Sequence, residues 1–229
     1  MPRNKHPEET VDRILNTALA LFLEKGYEAT TVQDIIDHLG GLSKGAIYHH
    51  FRSKEEIMIA VGDRLGAENA RMLGAVRDDP SLTGREKLVE IFRASLRNPN
   101  QEALFKVGLA VKKNPRFLAL QLEDIFQVVA PDYIQPILEQ GQRDGTIASA
   151  DPQGLAEVMM LLTNVWLNPM ILISTPEKMA QRCRLYNELL RPQLGFELLD
   201  EEMLQKYIDY CGWYLRTAEE KGDAAAGGL

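Results

Sequence analysis

Between Ser43 and Lys54 the chain reads SKGAIYHHFRSK, which places Lys44, Tyr48, His49 and His50 within two helical turns. A cation, a phenol and two imidazoles are groups that meet phosphates and base edges. They lack what catalysis would need. Neighbouring residues on a helix diverge by about 100°, so His49 and His50 cannot ligate one metal ion. No histidine follows residue 54, and HExxH, GxSxG, P-loop and strand–helix GxGxxG patterns are absent. No catalytic residue, metal ligand or cofactor is expected.

Two short helices must position these groups. Val32, Ile35, Ile36 and Leu39 recur at i, i+3, i+4 and i+7, one apolar face of a helix. Thr31 and Asp34 form a near capping box at its start, and Gly40-Gly41 ends it. Ser43 is expected to cap a second helix beginning at Lys44. There Ile47 and Phe51 face inward, while Gly45, Ala46 and His49 occupy the opposite face. Lys44 and Tyr48 flank one side of that face and His50 the other. Gly45 and Ala46 are small enough for the backbone to come close to a partner. So short a helix is marginal alone. A brace precedes it: a helix opened by Pro7-Glu8-Glu9, carrying the stripe Val11, Ile14, Leu15, Ala18 and Phe22, and stopped by Gly26. This is the layout of a helix-turn-helix presenting its second helix to the DNA major groove.

Residues 8–60 resemble the TetR/AcrR family of bacterial transcriptional regulators. The shared pattern is Gly26-Tyr27, Thr31, Asp34-Ile35, Ser43-Lys44-Gly45, Ile47-Tyr48, Phe51 and Ser53-Lys54-Glu55-Glu56. It departs at Ile36, where the family usually has alanine, and at His49, where tyrosine is frequent. The resemblance implies that Gly45 and Tyr48 approach bases and that Lys44 reaches a base or a phosphate. It implies phosphate contacts for Thr31, Ser43, His49, His50 and Lys54. Lys54 also lies at the start of the fourth helix, capped by Ser53 and running to about Val76, whose free amides favour an anion.

The net charge of −7 opposes this reading only until it is divided. Residues 1–54 hold seven Lys/Arg and seven Asp/Glu, so the surplus of acid lies entirely beyond them. From His38 to Lys54 there is no acid at all. Such a chain should bind DNA in one orientation, with strong salt dependence. Cys183 and Cys211 are too few for a disulfide framework and are expected to be reduced thiols in a cytoplasmic protein. The N-terminus has no apolar signal segment.

The fold class expected is all-α: a three-helix DNA-binding domain over 1–54, a larger ligand-binding and dimerisation domain over 55–219, and a polar tail over 220–229. Proline, glycine and asparagine clusters place further helices at Thr83–Arg97, Gln101–Lys113, Pro115–Val129, Asp132–Arg143, Pro152–Ile173, Pro176–Leu190 and Glu201–Thr217. The helix at 152–173 is apolar all round, so both its sides must be buried. Glu157, Thr163, Asn164, Asn168 and Pro169 rule it out as a membrane span. One side can meet a second subunit, and the resemblance implies a homodimer through two C-terminal helices; the partner helix is either 176–190 or 201–217.

The resemblance also implies a small hydrophobic effector inside the second domain. Candidates to line its site are Phe105, Leu109, Phe117, Leu120, Phe126, Met159, Met160, Thr163, Trp166 and Met170. Thr163 and Asn164, polar within an apolar helix, need hydrogen-bond partners. The function expected is a ligand-responsive homodimeric repressor of a palindromic operator. The alternative is a helical protein- or ligand-binding module of the same fold that binds no operator.

Overall fold

The computed structural model describes residues 7–41, 44–98, 115–169 and 171–220. Among them every regular element is a helix. They form two compact units, residues up to Ala70 in the first, and Arg71–Asn98 with the described residues from 115 onward in the second.

In the first unit, α1 (Pro7–Lys25) is followed by α2 (Val32–His38), α3 (Lys44–His50) and the N-terminal part of α4 (Lys54–Arg77). Ile14, Ala18 and Phe22 of α1 are fully buried, as are Ile35, Ile47 and Ile57. The unit includes α4 well past residue 54, where the motif placed the boundary. Met58, Val61 and Leu65 are buried too, so three turns of α4 carry core side chains.

The second unit continues with α5 (Gly84–Arg97), capped by a full capping box between Thr83 and Glu86. Next comes one unbroken helical run: α6 (Pro115–Asp124), a π-helical segment (Ile125–Ile134) and α7 (Gln135–Asp144). Two separate helices, 115–129 and 132–143, were expected; Pro131, between them, has no N–H to donate. The wider π register absorbs that lost bond, and the Gln135 amide bonds back to the Ala130 carbonyl. Next, α8 (Pro152–Leu161) closes in a π turn, Leu162–Trp166. It stops there and not at Ile173, since a residue preceding proline, here Asn168, is disfavoured in helical geometry. The last two helices are α9 (Pro176–Leu194) and α10 (Glu201–Glu220), each slightly longer than expected. The helix expected at 101–113 and the tail after Glu220 lie outside the described residues.

One apolar core holds this unit. It joins Leu88, Ile91 and Phe92 of α5, Ile134, Ile137 and Leu138, Met159 and Met160 of α8, Cys183 and Tyr186 of α9, and Leu204, Tyr207 and Cys211 of α10. At one place α5 and α7 touch backbone to backbone. A Cβ on Gly84 would overlap the Gly141 backbone, and one on Gly141 would overlap the Ile147 side chain. Arg93 reaches Asp200 at 2.9 Å and Arg97 reaches Glu202 at 2.8 Å, tying α5 to the start of α10. Both cysteines are unpaired and buried; burial pushes the Cys183 thiol up to about 12 and the Cys211 thiol to about 11. Among the described residues no helix is long and apolar enough to cross a membrane.

Candidate nucleic-acid interface

The turn that aims α3 is fixed from four directions. Thr31 accepts from the Asp34 amide at 3.0 Å, and the Asp34 carboxylate accepts from the Thr31 amide at 2.7 Å. Lys25 pairs with the same carboxylate at 3.0 Å. These contacts, the Thr31 hydrogen bonds first and then Lys25, hold the Asp34 carboxyl down at about 2. At the other end of α2, Arg13 of α1 donates to the Leu39 carbonyl at 2.7 Å. That places a cation on the helix's negative end, where the macrodipole favours it. Gly40 and Gly41 then take φ of +49° and +93°, a conformation side chains resist.

Out of this turn α3 buries Ile47, with Phe51 buried just beyond it. Lys44, Gly45, Tyr48 and His49 are exposed together, as the spacing predicts. Tyr48 leaves 44% of its surface open, with the Lys44 ammonium 5.9 Å from its ring centre. That contact is itself favourable, and it leaves the ring edge and hydroxyl open to a partner. Ala46 and His50 are half-buried. His50 packs edge-on against His49 and borders a groove lined by Glu8, Val11 and Asp12 of α1. Ser43 lies outside the described residues.

Lys54 is committed within the unit. Its ammonium donates to the Tyr27 carbonyl at 2.7 Å and sits 4.2 Å from the centre of the Tyr27 ring. It therefore fastens the α1–α2 turn to the start of α4. Ser53 caps α4 by accepting from the Glu56 amide at 3.1 Å, while the Glu56 carboxylate takes the Arg52 amide at 2.7 Å instead of the Ser53 amide. Thr31 is likewise engaged in its own cap. Arg13 and Tyr27 emerge as the residues that position the motif. Tyr27 stood in the sequence pattern, and nothing in the spacing singled out Arg13.

Residues 14–61 match the family model described as "Bacterial regulatory proteins, tetR family". The chain is 30% identical over 137 residues to the transcriptional repressor AcnR of Corynebacterium glutamicum, a match covering 60% of this chain and 64% of that protein. It is 38% identical over 93 residues to the repressor KstR2 of Mycolicibacterium smegmatis, covering 39% and 42%. Both matches span less than two thirds of the relative. A TetR-family regulator from Pectobacterium atrosepticum superposes with a TM-score of 0.61 at 25% identity, over 84% of this chain and 98% of that one. Residues 14–61 thus form a TetR-family domain. The family model lies wholly within the first unit, over the residues that build and brace α3.

Beyond that domain the ten effector-lining candidates divide unevenly. Phe105, Leu109 and Met170 lie outside the described residues, as do the side chains of Phe117 and Leu120. Phe126 points outward, with 40% of its surface open. Met159 and Met160 are core, and Trp166 is half-buried against it. Thr163 donates to the Met159 carbonyl at 2.7 Å and meets the buried Tyr186 hydroxyl at 3.0 Å. Asn164 donates to the Met160 carbonyl at 3.0 Å. Both side chains thus serve carbonyls of the turn where α8 passes into π register.

Proposed function

We propose that this chain is a homodimeric repressor that reads a near-palindromic operator through α3 and leaves it on binding a small effector in the second unit. One observation carries the DNA reading. Lys44, Gly45, Tyr48 and His49 share one exposed face within a stretch free of acid from His38 to Lys54. Gly45 lets the backbone approach base edges, Tyr48 supplies a ring and a hydroxyl, and Lys44 neutralises a phosphate or donates to a purine. That the relatives AcnR and KstR2 are repressors supports repression as the mode.

One α3 reads only half a site, so a second copy is needed. The apolar side chains left open on the second unit support a place for it. Val158 and Leu161 of α8 are 50% and 38% exposed, and Leu185 and Leu189 of α9 are 44% and 54% exposed. They favour α9 over α10 as the partner of α8 across the dimer. The effector reading is supported by Thr163, whose hydroxyl meets that of Tyr186 at the π turn, with Met160 and Trp166 three residues to either side. The experiment is selection from random duplexes, followed by binding across a salt series. We expect a selected near-palindrome whose affinity falls steeply with salt; no selected site, or a flat response, overturns the reading.

A further inference from the structure

His49 and His50 are the last two residues of α3, and their rings meet edge-on with centres 5.2 Å apart. Imidazole is the side chain whose charge ordinarily changes between about pH 5 and 8. The face offered to DNA therefore carries a charge that depends on protons. The other charges in this stretch are fixed: Lys44 opens α3 and Arg52 lies just beyond its end, with no acid from His38 to Lys54. All four histidines lie within the first 50 residues, so no imidazole elsewhere in the chain can supply such a dependence.

The two rings differ in what surrounds them. His49 is exposed and makes no hydrogen bond or ion pair among the described residues. The titratable groups on its own helix are Lys44, Tyr48 and His50. His50 is half-buried and lines a groove with Glu8, Val11 and Asp12 of α1, and Asp12 meets Arg64 of α4 at 4.0 Å. At the start of α4 the Glu56 carboxylate is taken by the Arg52 amide. Glu8 and Asp12 favour a charge on His50 whether or not DNA is present. His49 has no such partner, so a phosphate would be its counter-charge. Two imidazolium rings at this separation repel each other, so one α3 takes up a first proton more readily than a second.

We propose that operator binding is coupled to protonation of His49: each α3 takes up one proton there as the ring meets a DNA phosphate. The inference rests on the repressor reading and adds its regulation, a grip on the operator that tightens in mildly acid conditions. A phosphate favours the charged ring, so the complex keeps the proton to a higher pH than the free chain does. Affinity is therefore greatest below the imidazole range and is lost as pH rises through it. Each charged ring also neutralises a phosphate and releases its counterions, so the salt dependence steepens at low pH.

The test is titration of the full chain with its selected duplex at constant ionic strength, from about pH 5.5 to 8.5, with the selection itself run at both ends of that range. Affinity should fall at least about tenfold between about pH 6 and 8. The salt slope at the lower pH should be steeper by about 1.8, from two copies at about 0.9 each. His49→Gln, which cannot be charged, and His49→Tyr, which keeps a ring, should both flatten the pH response and remove the extra salt slope. His38→Gln should change neither, since the Nδ1 of His38 is already bonded to the Asp34 carbonyl at 2.7 Å. His6→Gln, outside the described residues, should also change neither. A flat pH response in the parent, a response that survives in both His49 variants, or one lost only in a variant of another histidine overturns the proposal. Circular dichroism of the free chain over the same range separates binding from folding: a loss of helix that parallels the loss of affinity overturns it too. If no duplex is selected at either pH, the repressor reading fails and this inference with it. A selected duplex bound equally at every pH defeats this inference alone.

Discussion

Lys54 shows how one side chain can be assigned from its neighbours. Its ammonium rests against the carbonyl and ring of Tyr27, so its first effect is to lock the α1–α2 turn to α4. Lys54→Met should lower stability by about 1–2 kcal/mol, from one charged hydrogen bond and one cation–π contact. Chemical denaturation checks this; unchanged stability with weakened DNA binding would make Lys54 a phosphate contact only. Asp34 gives a pH signature. Its folded carboxyl titrates near 2 against 3.8 in a free chain. Between those values the unfolded chain binds more protons, so stability falls as pH falls. The cap's contribution is whole above about pH 4 and lost as pH drops through about 2. The stability gap between the parent and Asp34→Asn should therefore shrink across that window. A gap that stays constant would mean the carboxylate charge is not what matters.

At the scale of elements, α3 and the α5–α7 contact make opposite demands on a substitution. The Tyr48 side chain is exposed on α3 and supports no core, so Tyr48→Ala should abolish operator binding while Tm stays within about a degree or two of the parent. A large loss of stability would instead make Tyr48 a packing residue. Gly84 is the reverse case. Its backbone lies against Gly141, and neither backbone can yield without separating α5 from α7. Gly84→Ala should cost at least about 2 kcal/mol in denaturant unfolding, although alanine is the better helix former. The helices themselves were readable from caps and periodicity: Thr31, Thr83, Asp151 and Thr175 all cap where an N-terminus was expected. The π segments were not. A proline reads as a break, and only the neighbouring turns determine whether the helix shifts register around it instead.

For the whole molecule the open question is what covers Val158, Leu161, Leu185 and Leu189. Replacing Leu185 and Leu189 together with glutamate should yield a monomer with unchanged helical circular dichroism. A single α3 would then lose the benefit of tethered half-sites, lowering operator affinity by about a hundredfold or more. Light scattering and duplex titration together check this; a dimer that persists would move the interface to another face. The charge distribution works at the same scale. All of the surplus acid lies beyond residue 54, so the body should repel the phosphates that the first unit approaches.

By itself the sequence determined the helical class, the helix-turn-helix and its exposed face. These follow from local rules: apolar period, capping residues, paired glycines and the run without acid act within a few turns of chain. Tertiary structure alone decided which polar groups are already spoken for. Lys54 is turned onto Tyr27, twenty-seven residues away, and Arg13 caps a helix twenty-six residues on. Arg182 is a further case, buried and donating to the Leu172 carbonyl. In the sequence it is one more charge on a mixed helix, with the signal limited to its place beside Met179 and Cys183 in the buried stripe. Which groups meet that charge depends on where the 167–175 loop folds back, and such distances are not written in the local pattern.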